Sequence, residues 1–180
     1  MPVKKVYWDA CVFIDLINGV EGKRAVLEGI WGERDRGETL VYTSFLTYAE
    51  VFRVKCEKGL IKPYPEDRDA MTLELLRQPG VTPLLLDGRT VRLARTLLRR
   101  HKECKKPNDG VHLASAILAN VDEFHTFDRS DLLKISTTVN RSDGLPLKIC
   151  LPTMSPPSPS RGAKSTDPSQ ASIFGDADEG

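Results

Sequence analysis

The sequence predicts an α/β fold: a mostly parallel, five-stranded sheet covered by helices on both faces. Short β-type apolar runs alternate with segments of helical periodicity between residues 6 and 151, and parallel strands need crossovers that helices usually supply. The longest apolar runs, residues 84–86 and 116–119, fall far short of the ~20 residues of a spanning helix, so no membrane segment is expected. The basic N-terminus meets Asp9 before an apolar core of ~7 residues can form a signal peptide, which predicts a cytoplasmic protein.

Residues 6–8 read as the first strand, ending on Asp9, and residues 11–18 and 22–36 as helices. Residues 39–43 form the second strand. In residues 46–58, Leu46, Ala49, Phe52 and Cys56 recur at helical spacing and Gly59 supplies a stop. Residues 65–78 predict a further helix, 81–86 the third strand, 88–101 a helix, and 108–119 a helix with Asn108 as its N-cap. Residues 123–127 and 147–151 are the fourth and fifth strands. One domain therefore spans residues 1–152. From Thr153 to Gly180, Ser, Pro, Gly and Ala dominate, and so little apolar surface cannot offset ordering entropy; an acidic, disordered tail is expected.

The net charge of +1 conceals segregation. Residues 53–106 carry 14 basic against 7 acidic side chains, whereas residues 1–52, 107–152 and 153–180 are each −2. The first stretch attracts phosphate and its flanks attract cations. Cys11, Cys56, Cys104 and Cys150 form no C-x-x-C pair and have no histidine at zinc-ligand spacing, which reads as reduced thiols.

Ligands of parallel sheets gather beyond the carboxyl ends of the strands. Asp9 closes the first strand there, Asp128 the fourth, and Asp109 opens the helix at 108. Glu50 lies among apolar neighbours inside a helix, where a charge needs a partner. Each acid also has a plain structural reading: Asp9 and Asp128 as turn formers, Asp109 at the positive end of its helix, Glu50 paired with Arg53, and Asp131 as a cap for Leu132 and Leu133. Three or four carboxylates on one edge repel one another unless protons or cations neutralise them, and Mg²⁺ or Mn²⁺ suits such oxygen ligands.

Four segments carry these acids: residues 6–14 around Asp9, 43–51 around Glu50, 108–116 around Asp109 and 126–132 around Asp128. In this order, and on these elements, they resemble the PIN-domain ribonucleases, in particular the VapC-type toxins of toxin-antitoxin pairs. The resemblance covers residues 5–151 and implies a three-layer α/β/α sandwich with an acidic pocket for Mg²⁺ or Mn²⁺. It implies an endoribonuclease whose catalytic, metal-binding set is Asp9, Glu50, Asp109 and Asp128, with Thr126 and Ser44 supporting the pocket. It further implies a homodimer and a small antitoxin that pushes a basic side chain into the pocket. The departure is Cys11, where many members carry Ser, Thr or Asn; a thiol hydrogen-bonds only weakly.

An acidic pocket repels RNA, so a basic rim is needed. Arg89, Arg92, Arg95 and Arg99 recur at helical spacing, and Lys105 and Lys106 lead on towards Asp109. The competing reading of this stripe is a solvated helix face. His101, His112 and His125 read as structural or surface residues, with His112 one turn from Asp109, and Trp8 and Trp31 as core aromatics. A haloacid-dehalogenase-type phosphatase needs a second Asp at position 11, which is Cys. The remaining alternative is a non-catalytic PIN-like RNA- or protein-binding module.

Overall fold

Val6 and Trp8 point to one face of the first strand and Tyr7 to the other, the period of two that lets one strand serve two cores. In the computed structural model, which describes residues 3–51, 70 and 73–155, this strand is central. The elements are β1 (Lys4–Trp8), α1 (Ala10–Ile17), α2 (Arg24–Asp35), β2 (Thr39–Ser44), α3 (Leu46–Glu50), β3 (Val81–Leu84), α4 (Gly88–Arg100), α5 (Pro107–Leu118), β4 (Glu123–His125), a 3₁₀ turn (Leu132–Ile135) and β5 (Lys148–Cys150). The five strands lie in the order β3-β2-β1-β4-β5, and every pairing is parallel.

Trp8, Phe13, Leu27, Ile30 and Val41 fill the core on one side of the sheet, and Tyr7, Leu97, Leu113, Phe124 and Ile149 that on the other. The architecture is therefore the three-layer α/β/α sandwich. The chain leaves β1 towards β2 on one flank and returns to β4 on the other, so strand order reverses between β1 and β4. That reversal opens a crevice at the carboxyl ends of the two strands that Asp9 and Asp128 follow.

Local departures from the predicted elements have local causes. Of the helix expected over 46–58, residues 46–50 are helical and Val51 leaves helical geometry (φ −88°, ψ 60°); residues 52–58, with Arg53, and the stop at Gly59 lie outside the described residues. Of the helix expected over 65–78, residues 73–76 are helical, and most of the remainder is also outside them. β3 and β4 end two residues early. After β4 the Thr126 hydroxyl accepts the Asp128 N–H (2.9 Å), turning the chain out of the ladder. Asn108 is not the N-cap of α5: Lys106 holds that position and Pro107 begins the helix, its fixed φ and missing N–H suiting the first turn. Asp131 stands before the 3₁₀ turn without a side-chain capping bond. Ser155 donates from its N–H and hydroxyl to the Glu33 carboxylate of α2 (2.6 and 3.0 Å); residues 156–180 of the expected tail are not among the described ones. Among the described residues no helix is long and apolar enough to cross a membrane.

Candidate active site

Each acid is placed by the way its own element begins or ends. Asp9 follows β1 in extended geometry and caps α1, its Oδ1 accepting the Val12 N–H (3.3 Å). Asp109 sits in the first turn of α5. Glu50 ends α3, and Asp128 lies in the turn after β4, where its Oδ1 accepts from the Ser130 N–H, the Ser130 hydroxyl and the Asp131 N–H at 2.6–3.0 Å. All four side chains line one open cleft of about 790 Å³, together with Lys23, Lys106, Asn108 and His112.

The four carboxylates are not equivalent. Burial pushes the Asp9 carboxyl up, against hydrogen bonds from the Cys11 thiol and the Thr126 hydroxyl. Cys11 thus does the supporting work expected of a hydroxyl: burial and the Asp9 charge raise its own pKa well above the usual range, so it keeps the proton it donates. Asp109 is pushed up to about 6 by burial, with the Asp128 and Asp9 charges adding to it against the pull of Lys106. Asp128 is also penalised by burial, yet Ser130 and Lys106 hold it down at about 2. Glu50 falls below its usual range despite burial, because His112 (2.5 Å, Nε2 to Oε2) and Asn108 (2.8 Å, Nδ2 to Oε1) both bond it.

Asp109 Oδ2 is buried and has no hydrogen-bond partner. Lys106 Nζ is 3.8 Å away and sits instead on Asp128 Oδ2 at 2.9 Å. Carboxylate oxygens of Asp109, Asp128 and Asp131 lie within 4.8 Å of one another. Asp131 does not line the cleft, whereas Asp128 does. An orphaned buried oxygen among hard oxygen donors fits a divalent cation such as Mg²⁺ or Mn²⁺.

Ser44 and Thr126 are buried beneath the cleft rather than in its wall. Of the residues expected on the RNA-binding rim, Lys106 lines the cleft; Arg89, Arg92, Arg95, Arg99 and Lys105 are exposed and do not. The last turn of α4 meets the start of α5, where a Cβ on Gly110 would stand 2.7 Å from Leu98 Cγ, so the glycine permits the close approach. Arg99 follows Leu98 there, while Arg89 lies about 15 Å further along the helix at 1.5 Å per residue.

Sequence reasoning missed the part played by His112, which is buried and bonds Glu50 and Tyr7. Its spacing of three residues from Asp109, one turn on the same face, was the available signal. It also missed Lys23, which lines the cleft while paired with Asp15 (2.5 Å) and set 3.8 Å over the Phe127 ring. Trp8 is buried, as expected, and Trp31 packs against the same core.

The sheet order and the acids at its switch point define a class of α/β protein with an acidic crevice at the carboxyl ends of its strands. Residues 6–136 match the family model of the PIN domain, and the chain belongs to that family. Its fold is shared with a toxin-antitoxin complex from Klebsiella pneumoniae (TM-score 0.56, 18% identity, covering 83% of this chain and 99% of that one). It is shared too with VapC20 of Mycobacterium tuberculosis, a sarcin-ricin loop cleaving toxin (0.53, 14%, 68% and 89%). A third is VapBC2 from Rickettsia felis, solved bound to a DNA fragment from its promoter (0.53, 15%, 80% and 98%). None of the curated proteins matches this chain in sequence.

Proposed function

We propose that this PIN-domain protein is a metal-dependent endoribonuclease, the toxin of a type II toxin-antitoxin pair, acting as a homodimer in the cytoplasm. The observation that carries the reading is the buried, unpartnered Asp109 oxygen in a cleft lined by Asp9, Glu50 and Asp128. Asp9, Asp109 and Asp128 would hold Mg²⁺ or Mn²⁺, with Glu50 at the same wall. The bound ion supplies Lewis acidity, which activates water near neutral pH and offsets charge on the phosphoryl oxygens.

The chain's own residues do the rest. Cys11 and Thr126 hold the Asp9 carboxylate in place, and Ser130 holds that of Asp128. Lys106, 61% exposed at its side chain, is free to swing from Asp128 to a substrate phosphate, and Arg99 extends the positive rim. A splayed single strand fits an open cleft between helices better than a duplex. The uncompensated acids also suit a partner that inserts an Arg, which is how a small antitoxin would silence the site.

The test is cleavage of a mixed RNA pool with Mg²⁺, Mn²⁺ or EDTA, beside Asp9→Asn and Asp109→Asn. Metal-dependent cutting lost in both variants is the expected result. Metal-independent cutting, or equal cutting by the variants, overturns the proposal. Tight RNA binding without cutting in any metal favours the non-catalytic binding module.

A further inference from the structure

Three side chains from three elements join behind the cleft. Tyr7 of β1 places its hydroxyl 2.8 Å from His112 Nδ1 on α5, and His112 Nε2 lies 2.5 Å from Glu50 Oε2 on α3. We infer that Tyr7 and His112 are positioning residues whose hydrogen-bonded chain locks Glu50 in place, so that Glu50 orients the attacking water and does not itself ligate the metal. The inference rests on the nuclease reading above.

Both Glu50 oxygens already have a protein donor, His112 on Oε2 and Asn108 on Oε1. Asp109, by contrast, keeps one oxygen with none. A cation entering the cleft gains most at the bare oxygen and less at oxygens whose charge a protein donor already offsets. Each Glu50 oxygen retains a second acceptor direction, enough to take a hydrogen bond from water.

The chain has a direction. Tyr7 is fully buried and stacks on Phe124 with centroids 5.0 Å apart, so the phenol cannot turn away. Nearby, Ser115 Oγ donates to the Val111 carbonyl (2.9 Å) and Ser44 Oγ accepts the Leu46 N–H (3.0 Å). The Glu50 carboxylate can only accept, so the proton between them sits on His112 Nε2, and a neutral ring then takes the Tyr7 O–H at Nδ1. Tyr7 lies two residues before Asp9 and His112 one turn after Asp109, so the chain ties Glu50 to both elements that carry the principal acids.

The experiment uses the full chain as wild type, His112→Ala, His112→Gln and Tyr7→Phe, with Mn²⁺ as the probe ion. Nitrogen-15 NMR of the imidazole should show a neutral ring protonated at Nε2; protonation at Nδ1, or at both nitrogens, overturns the inference. Mn²⁺ affinity by calorimetry should stay within about threefold of wild type in His112→Ala, while kcat falls about 10–100-fold with little change in KM, as for loss of an outer-shell partner. His112→Gln, whose amide N–H reaches the Nε2 position, should recover most of kcat, and Tyr7→Phe should fall between. A tenfold or greater loss of Mn²⁺ affinity in His112→Ala makes Glu50 a ligand and overturns the inference, as does an unchanged kcat. If wild type cuts no RNA, the nuclease reading fails on its own, and the tautomer and Mn²⁺ results still decide the chain's role.

Discussion

Two clusters of ligand-type side chains, one around Glu123 and one around Asp109, share the same sheet and differ in who neutralises their acids. Glu123 on β4 receives Lys4 (2.9 Å), Lys148 (2.7 Å) and the His125 Nε2 (2.8 Å). Its burial would raise its pKa, but these partners hold the carboxyl far below the usual range. Ligand-type atoms of Glu123, His125 and Cys150 lie within 4.8 Å of one another, close enough in distance alone for a metal. Trp8 Nε1 donates to His125 Nδ1 (3.2 Å), which leaves the proton of the neutral ring on Nε2 and no lone pair there for an ion. Two ammonium groups on Glu123 repel a cation besides. In the cleft, Lys106 reaches Asp128 and leaves Asp109 Oδ2 bare. Uncompensated charge, and not the spacing of ligand atoms, is what separates the two clusters.

The sharpest way to break this comparison is to remove one acid from each cluster and measure Mn²⁺ binding by calorimetry and RNA cleavage. Asp109→Asn should abolish Mn²⁺ binding and cut cleavage by about 10²–10³-fold, the size typical of losing a key charge-stabilising group. Glu123→Gln should leave both within about twofold, since the charge it loses is already spoken for. Stability should respond in the other direction. Glu123→Ala strands the His125 N–H and the Lys4 ammonium and should cost about 1–3 kcal/mol in urea unfolding at pH 7, while Asp109→Asn relieves a buried charge and should raise the stability of the metal-free protein.

The two clusters should also carry opposite pH signatures. Between pH 3.8 and about 6 Asp109 is protonated when folded and ionised when unfolded, so metal-free stability falls as pH rises through that window. Glu123, lowered from 4.5, is ionised when folded and protonated when unfolded below that value, so its contribution is complete above pH 4.5 and lost as pH falls. Urea titrations of Asp109→Asn and Glu123→Gln should each flatten one limb and leave the other. A smaller effect is expected at the internal counterion: Lys106→Met should tighten Mn²⁺ by about 2–5-fold, the worth of an exposed ion pair, and weaken RNA binding with a salt slope reduced by about 0.7. The smallest is Cys11→Ser, which should keep cleavage within about twofold, because a hydroxyl donates to Asp9 at least as well as a thiol.

Much of the fold was legible because strands and helices declare themselves by local period. Residues 6–8, 39–43, 81–86 and 88–101 each contain or overlap the element found there. The ends were less legible: Val51 leaves helical geometry directly after Glu50, and the turn at Thr126 depends on one side-chain bond. The acids were visible one by one, since Asp9 and Asp128 follow strands and Asp109 starts a helix. Their partners were not. Glu50 is bonded by Asn108 and His112, 58 and 62 residues away. The stripe on α4 showed its period but not its distance from the cleft, which the packing of Leu98 on Gly110 decides.

The sequence by itself determined the α/β alternation, the placement of Asp9 and Asp128 after strands, and the membership that residues 6–136 carry, because these rest on spacing along the chain. Only the tertiary structure decided which carboxylates are neutralised and which are left bare, which histidine faces an acid in the cleft, and which lysine stands in for a cation. Those outcomes depend on burial and on charges brought within 3–4 Å across the sheet, where desolvation and Coulomb interaction set each group's state and sequence distance has no bearing.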